Sequence, residues 1–196
     1  MSVDQIVSAQ PGLIPQISVF LTNQRLWGAI TFVDHSSYYV YVHLMQDLSL
    51  AETLLVKEAT EKEMAQVVRS SKHYHANNGT FSSNGFVDSI NSKSQKLTFC
   101  EVGVHHQNDI IGNKNRVLTK GAQKLLLHGI RMWPQMIDDM FWPFSMKCLA
   151  KRLNSLQVDI LGMTPEYILH GVEVQYIPVK SYHTPFCTTY VLIARL

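Results

Sequence analysis

Residues 26–45 read LWGAITFVDHSSYYVYVHLM, and this stretch decides the fold. Leu26 to Val33 is a near-continuous apolar run of strand length. Tyr38 to Met45 is a second run, rich in aromatic and β-branched residues. The polar Asp34-His35-Ser36-Ser37 between them reads as a turn. Two such runs joined by a short polar turn predict an antiparallel hairpin. Asp34 follows an apolar strand, as a catalytic acid can, but its Asp-His-Ser-Ser context makes it a turn residue.

Outward from the hairpin, the pattern changes period. On the N-terminal side, Val3 to Ala9 is a short strand candidate, and Gln10-Pro11-Gly12 with Pro15 reads as a loop. On the C-terminal side, Ser49 with Glu52 has the spacing of a capping box. Leu50, Leu54, Leu55, Ala59, Met64 and Val67 then recur at roughly helical spacing. Lys72 to Ala76 is a short strand ending at Asn77-Asn78-Gly79. Gly85 to Ser92 is a short helix, and Gln95 to Val102 another strand. Asn108 to Gly129 is helical, with Leu118, Ala122, Leu125 and Leu126 inward. Trp133-Pro134 opens a long apolar helix to about Leu156, in which Pro143 predicts a kink or break. Pro165 and Gly171 punctuate a tail of strand-like pieces ending at Leu196. Three strands before the first helix, then strands and helices in alternation, predict an α/β fold. It has a mixed five-stranded sheet flanked by helices.

Composition is compatible with this. The 196 residues are 46% apolar and 16% charged, enough for one sizeable core and unlike a disordered chain. The formal net charge of +2 permits nucleic-acid binding without arguing for it. No apolar run reaches the length of a membrane span, and the N-terminus lacks a signal-peptide pattern. Cys100, Cys148 and Cys187 are odd in number and widely spaced, so they read as free thiols of a reducing compartment.

Four segments carry a family resemblance. His73 to Phe86 (HYHANNGTFSSNGF) resembles a strand-plus-loop motif written H-x-D-N-G-x-F. His105 to Asn115 (HHQNDIIGNKN) resembles Q-N-G-x-x-E-R-x-N. Trp133 to Asn154, with Phe141-Trp142 and the closing Arg152-Leu153-Asn154, resembles that family's next helix. Met163-Thr164-Pro165-Glu166-Tyr167 resembles its T-P segment. In this order they are similar to the catalytic core of a copia-type LTR-retrotransposon integrase, which has a ribonuclease H-like fold. The resemblance spans nearly the whole chain. It implies a core-like domain over residues 1–155 and a truncated C-terminal extension over 156–196, of which His183 to Leu196 is similar to only the first piece. It also implies DNA integration and nucleic-acid binding within a retrotransposon polyprotein, with a nuclear location for a working integrase.

Such a core holds two Mg²⁺ ions between three acids, and Mg²⁺ takes hard oxygen ligands. The resemblance puts the first acid at Asp4. It puts the second at Asn77, where Asp-Asn-Gly has become Asn-Asn-Gly, and the third at Gly112, where the motif has Glu. The separation, 112 − 77 = 35, matches the family's spacing, so these are substitutions rather than misalignments. Asn77 brings no negative charge and Gly112 no side chain. One carboxylate makes a poor Mg²⁺ site, and the expected outcome is a pseudoenzyme. Two alternatives stay open: an active enzyme in which Asp109, where the family has Gly, replaces the missing Glu, and a non-catalytic DNA-binding or dimerisation domain.

Other features have two readings. Arg116, Lys120 and Lys124 repeat along one helix face, as a phosphate track on DNA or as a solvated surface. Trp133, Phe141, Trp142 and Phe144 read as core packing or a self-association surface. His73, His75, His105 and His106, with Cys100, raise zinc, but adjacent and alternating histidines do not match the spaced pairs of structural zinc sites. They are expected to have other partners.

Overall fold

The structure is a computed structural model, and it describes residues 1–14, 22–67, 70–100, 109–156, 158, 160–171 and 185–186. Five strands form one mixed sheet: β1 (Ser2–Gly12), β2 (Leu26–Val33), β3 (Val40–Met45), β4 (His73–Ala76) and β5 (Lys96–Phe99), in the order β3-β2-β1-β4-β5. The hairpin is as the sequence predicts. β2 pairs antiparallel with β3, from Val33↔Val40 to Gly28↔Met45, and β1 pairs antiparallel with β2. β4 lies parallel to β1 on the side away from the hairpin, and β5 lies parallel to β4.

Period-2 alternation sends successive side chains to opposite faces. One face buries Val3, Ile30, Phe32, Tyr41 and Tyr74. It packs against α1 (Leu50–Ala65), α2 (Asn84–Ser92) and the 3₁₀ turn Thr80–Ser82. The other face buries Ala29, Val33, Val40 and Val42 against Ile111, Leu118 and Ala122 of α3 (Asp109–Met132) and Met146 and Ala150 of α4 (Trp142–Leu156). Asp4 pairs with Thr31, and Thr31 with Val42. Asp4 therefore points to the α3 face, which places the candidate acid.

Several sequence expectations are corrected. Gln10–Gly12 are not a loop: after an irregularity between Val7 and Gly12, β1 resumes and Gly12 pairs with Leu26. Pro11 removes one donor there, which a strand tolerates beside an irregularity. β3 begins at Val40 rather than Tyr38, because Tyr38 sits in the left-handed region at φ 58°. Asp34 is the turn residue expected, its Oδ2 accepting from Ser36 Oγ and from Ser37 N and Oγ.

The capping box is only half formed. Ser49 Oγ accepts from Glu52 N, but the Glu52 carboxylate accepts from the backbone N–H groups of Gln46 and Asp47. Asp47 takes Ser49 N instead. The buried stripe of α1 is Thr53, Val56, Lys57, Thr60 and Met64, and Leu55 is 67% exposed. Leucine spacing misplaced that stripe because a buried lysine and two threonines lie inside it.

Trp133 does not open the last long helix. It follows α3 in a turn, then Asp138 caps the 3₁₀ turn Asp139–Phe141 and α4 starts at Trp142. Pro143 is thus in the first turn of α4, where its missing N–H costs no helical bond, so it makes no kink. The T-P segment has a plain cause: Thr164 caps α5 (Pro165–His170), its Oγ1 accepting from Tyr167 N, and Pro165 is the first helical residue. Gly171 ends α5 at φ 65°. The expected strand residues 101–102, His105, His106 and, apart from Pro185 and Phe186, the tail after Gly171 lie outside the described residues. Among the described residues no helix is long and apolar enough to cross a membrane.

Candidate active site

Asp4 sits mid-strand on β1, facing α3. Its half-buried carboxylate is surrounded by N–H donors. Oδ1 accepts from Asn77 Nδ2 at 3.0 Å and from Gln5 N at 2.9 Å, and Oδ2 accepts from Asn115 Nδ2 at 3.0 Å. Asn77 follows β4, which the Ser2↔His75 and Val3↔Ala76 register brings beside Asp4. Asn115 reaches over from α3 and is oriented by the sheet, its Oδ1 accepting from Thr31 Oγ1 at 2.7 Å. Burial raises the Asp4 pKa above the usual carboxylate value, and the hydrogen bonds from Gln5, Asn77 and Asn115 oppose that rise.

The structure therefore brings Asp4 and Asn77 together, as expected, and adds Asn115. Asn115 closes the segment that resembles Q-N-G-x-x-E-R-x-N. Its signal was there: three residues past Gly112 is one helical turn, hence the same face.

The amides matter chemically. Asn77 turns its nitrogen to Asp4 and its Oδ1 to Cys100, whose thiol donates at 3.4 Å. Both amides present N–H groups to the carboxylate, the opposite of what a cation requires. A Cβ built on Gly112 meets nothing within 4 Å, so the position has open space and no ligand. One carboxylate ringed by donors does not fit a pair of Mg²⁺ ions. Among the described residues no three His, Cys, Asp or Glu side chains group to hold a metal ion.

Asp109 is the first residue of α3, three residues and about 4.5 Å of helical rise before Gly112. It is exposed and lines an open groove of about 650 Å³ with Tyr38, Ile110, Gly112, Asn113, Lys114 and Arg116. Arg116, Lys120 and Lys124 are all exposed along α3, and Arg116 donates to Asn113 Oδ1 at 2.8 Å. Of the aromatic set, Trp142 packs against the α3–α4 core and donates to Gln10 O, while Phe141 meets Phe144 at a tilt and Phe186 edge to face. Trp133 stays 37% exposed. His73 Nε2 and His75 Nδ1 both bond Thr98 Oγ1.

The chain is similar in fold to retroviral integrases. The catalytic core of HTLV-2 integrase, solved in complex with magnesium in a trimeric form, is 18% identical, with a TM-score of 0.58 over 86% of this chain and 94% of that one. A chain of a simian T-cell lymphotropic virus intasome, in complex with the PP2A regulatory subunit B56 gamma, gives 16% and 0.61 over 96% of this chain and 59% of that one. The catalytic core of BIV integrase gives 13% and 0.54 over 86% and 91%. No protein-family profile matches the chain, and no curated protein matches it. The fold is that of an integrase catalytic core.

Proposed function

We propose that the chain is an integrase catalytic-core-like domain of a copia-type retrotransposon polyprotein that binds DNA weakly and does not transfer strands. The observation that carries this reading is the ring of amide donors closed on Asp4, with open space at Gly112. Two-metal chemistry needs a carboxylate cage that concentrates negative charge. Here the second acid is a neutral amide that donates to the first, and the third is absent. The retained capacity is electrostatic: the exposed Arg116, Lys120 and Lys124 can contact phosphates without base specificity.

Incubation of the whole chain with integrase-type DNA ends and Mg²⁺ tests the reading. We expect neither nicking nor strand transfer. Nicking that Asp109→Asn stops would overturn it in favour of an enzyme using Asp109, which lines the groove containing Gly112.

A further inference from the structure

Beside the dead acid site, β4 and β5 assemble a different set of donors. Their parallel register pairs His75 with Thr98 and Ala76 with Phe99, and Cys100 N continues the ladder to Ala76 O at 3.1 Å. Cys100 Sγ thereby lies 3.4 Å from His75 Nε2 and 3.4 Å from Asn77 Oδ1. Thr98 fixes the imidazole. Its Oγ1 lies 2.9 Å from His75 Nδ1, 2.8 Å from His73 Nε2 and 3.5 Å from Tyr74 O, so it holds the ring by the nitrogen away from the sulfur. His75 Nε2 faces the sulfur, and in the tautomer protonated at Nδ1 it offers that side a lone pair. A metal-binding histidine usually has this arrangement, with the far nitrogen held by an oxygen.

The distances match a tetrahedral ion. With Zn–S of about 2.3 Å and Zn–N of about 2.05 Å, two ligands at the tetrahedral angle stand about 3.6 Å apart. The 3.4 Å between Cys100 Sγ and His75 Nε2 needs only a small adjustment. A linear two-coordinate ion would need over 4 Å, by the same bond lengths.

The geometry points to a site for a thiophilic divalent ion of the zinc, cobalt or cadmium kind, with Cys100 Sγ and His75 Nε2 as strong ligands, Asn77 Oδ1 as a third and water as the fourth. Burial, and with it the nearby Asp4 carboxylate, raises the Cys100 thiol pKa, so the bound cation must displace the proton, and the same carboxylate adds negative potential that favours the cation. Binding exchanges the thiol proton for the metal: Cys100–SH and M²⁺ give Cys100–S–M⁺ and one proton released to buffer. The donor set is borderline-soft, so Mg²⁺ does not compete for it.

Titration of the whole chain with Co²⁺, under reducing and chelator-free conditions, tests the site. We expect one equivalent bound, a thiolate-to-cobalt charge-transfer band, one proton released, displacement by Zn²⁺ and no displacement by excess Mg²⁺. Cys100→Ser removes the band, His75→Gln weakens binding at least tenfold, and Cys148→Ser changes neither. On the unmodified chain, Zn²⁺ also slows alkylation of Cys100, read by mass spectrometry, which keeps the test decisive if Cys100→Ser does not fold. The absence of a band and of alkylation protection overturns the proposal, as does a band that survives in folded Cys100→Ser. None of these readouts involves DNA, so failure here leaves the catalytic reading intact, and the reverse also holds.

Discussion

Asn77 stands where the resemblance implies a carboxylate, and its isosteric amide gives the position the opposite chemistry. An amide nitrogen 3.0 Å from Asp4 Oδ1 satisfies a group that two cations would otherwise neutralise. Asn77→Asp alone should therefore destabilise the metal-free protein, because it loses a charge-assisted hydrogen bond and sets two carboxylates face to face. We expect about 1–3 kcal/mol at pH 7 by urea unfolding, on the scale of such bonds. The loss should shrink as pH falls toward the raised Asp4 pKa, where protonation removes the repulsion. This substitution was legible in the sequence, since an Asn-Asn-Gly where Asp-Asn-Gly is expected needs no coordinates. Asn115 was legible as sharing the helix face of Gly112, but the direction of its amide was not, because Thr31 on β2 holds its oxygen. His75 and Cys100 stood among the zinc candidates of the sequence but were set aside on their spacing. Chain spacing describes sites within one helix or turn, whereas this pair is made by strand register.

Elements were legible where one period ran unbroken, as in β2 and α3, and illegible where side chains replaced backbone partners. β3 is an edge strand, and Asn154 of α4 covers it: Oδ1 accepts from Val40 N and Nδ2 donates to Val40 O, each at 2.9 Å. Lys147 donates to Val42 O further along. Edges left open pair with other chains. Asn154→Ala should cost about 2–3 kcal/mol, since it orphans a buried donor and acceptor. It should also raise aggregation, both read by thermal unfolding with light scattering. On α3 the cationic face makes a separate prediction. Weak DNA binding should fall steeply with salt as counterions are released, and charge reversal of Arg116, Lys120 and Lys124 together should abolish that dependence. A salt-independent affinity would leave the three as ordinary surface residues.

For the whole molecule, acid stability rests on two partly buried groups outside the candidate site, Glu61 and His43. Glu61 accepts from Lys57, Lys93, Gln95 and Tyr74, and these partners hold its pKa down at about 2 despite burial, which opposes them. A depressed acid contributes stability above its unfolded value of 4.5 that is lost as pH falls toward 2. Burial likewise lowers His43 to about 4, so the protein also loses stability below pH 6.5 as the unfolded chain takes up that proton first. Glu61→Gln should flatten the unfolding profile below pH 4.5 and cost about 3 kcal/mol at neutral pH, because it leaves the fully buried Lys57 poorly compensated. Lys57 and Glu61 could not be read as a buried pair from sequence, where i,i+4 charges read as a solvated face. The mixed five-stranded sheet flanked by helices, by contrast, followed from three strands before the first helix and the alternation after them. The measurement that bears most directly on the central claim, that this integrase fold has lost its two-metal site, is calorimetric titration with Mg²⁺. The unmodified chain should give no saturable binding, and Asn77→Asp with Gly112→Glu should restore it, while Gly112→Glu alone should not. Saturable Mg²⁺ binding by the unmodified chain, lost in Asp4→Asn, would contradict the account.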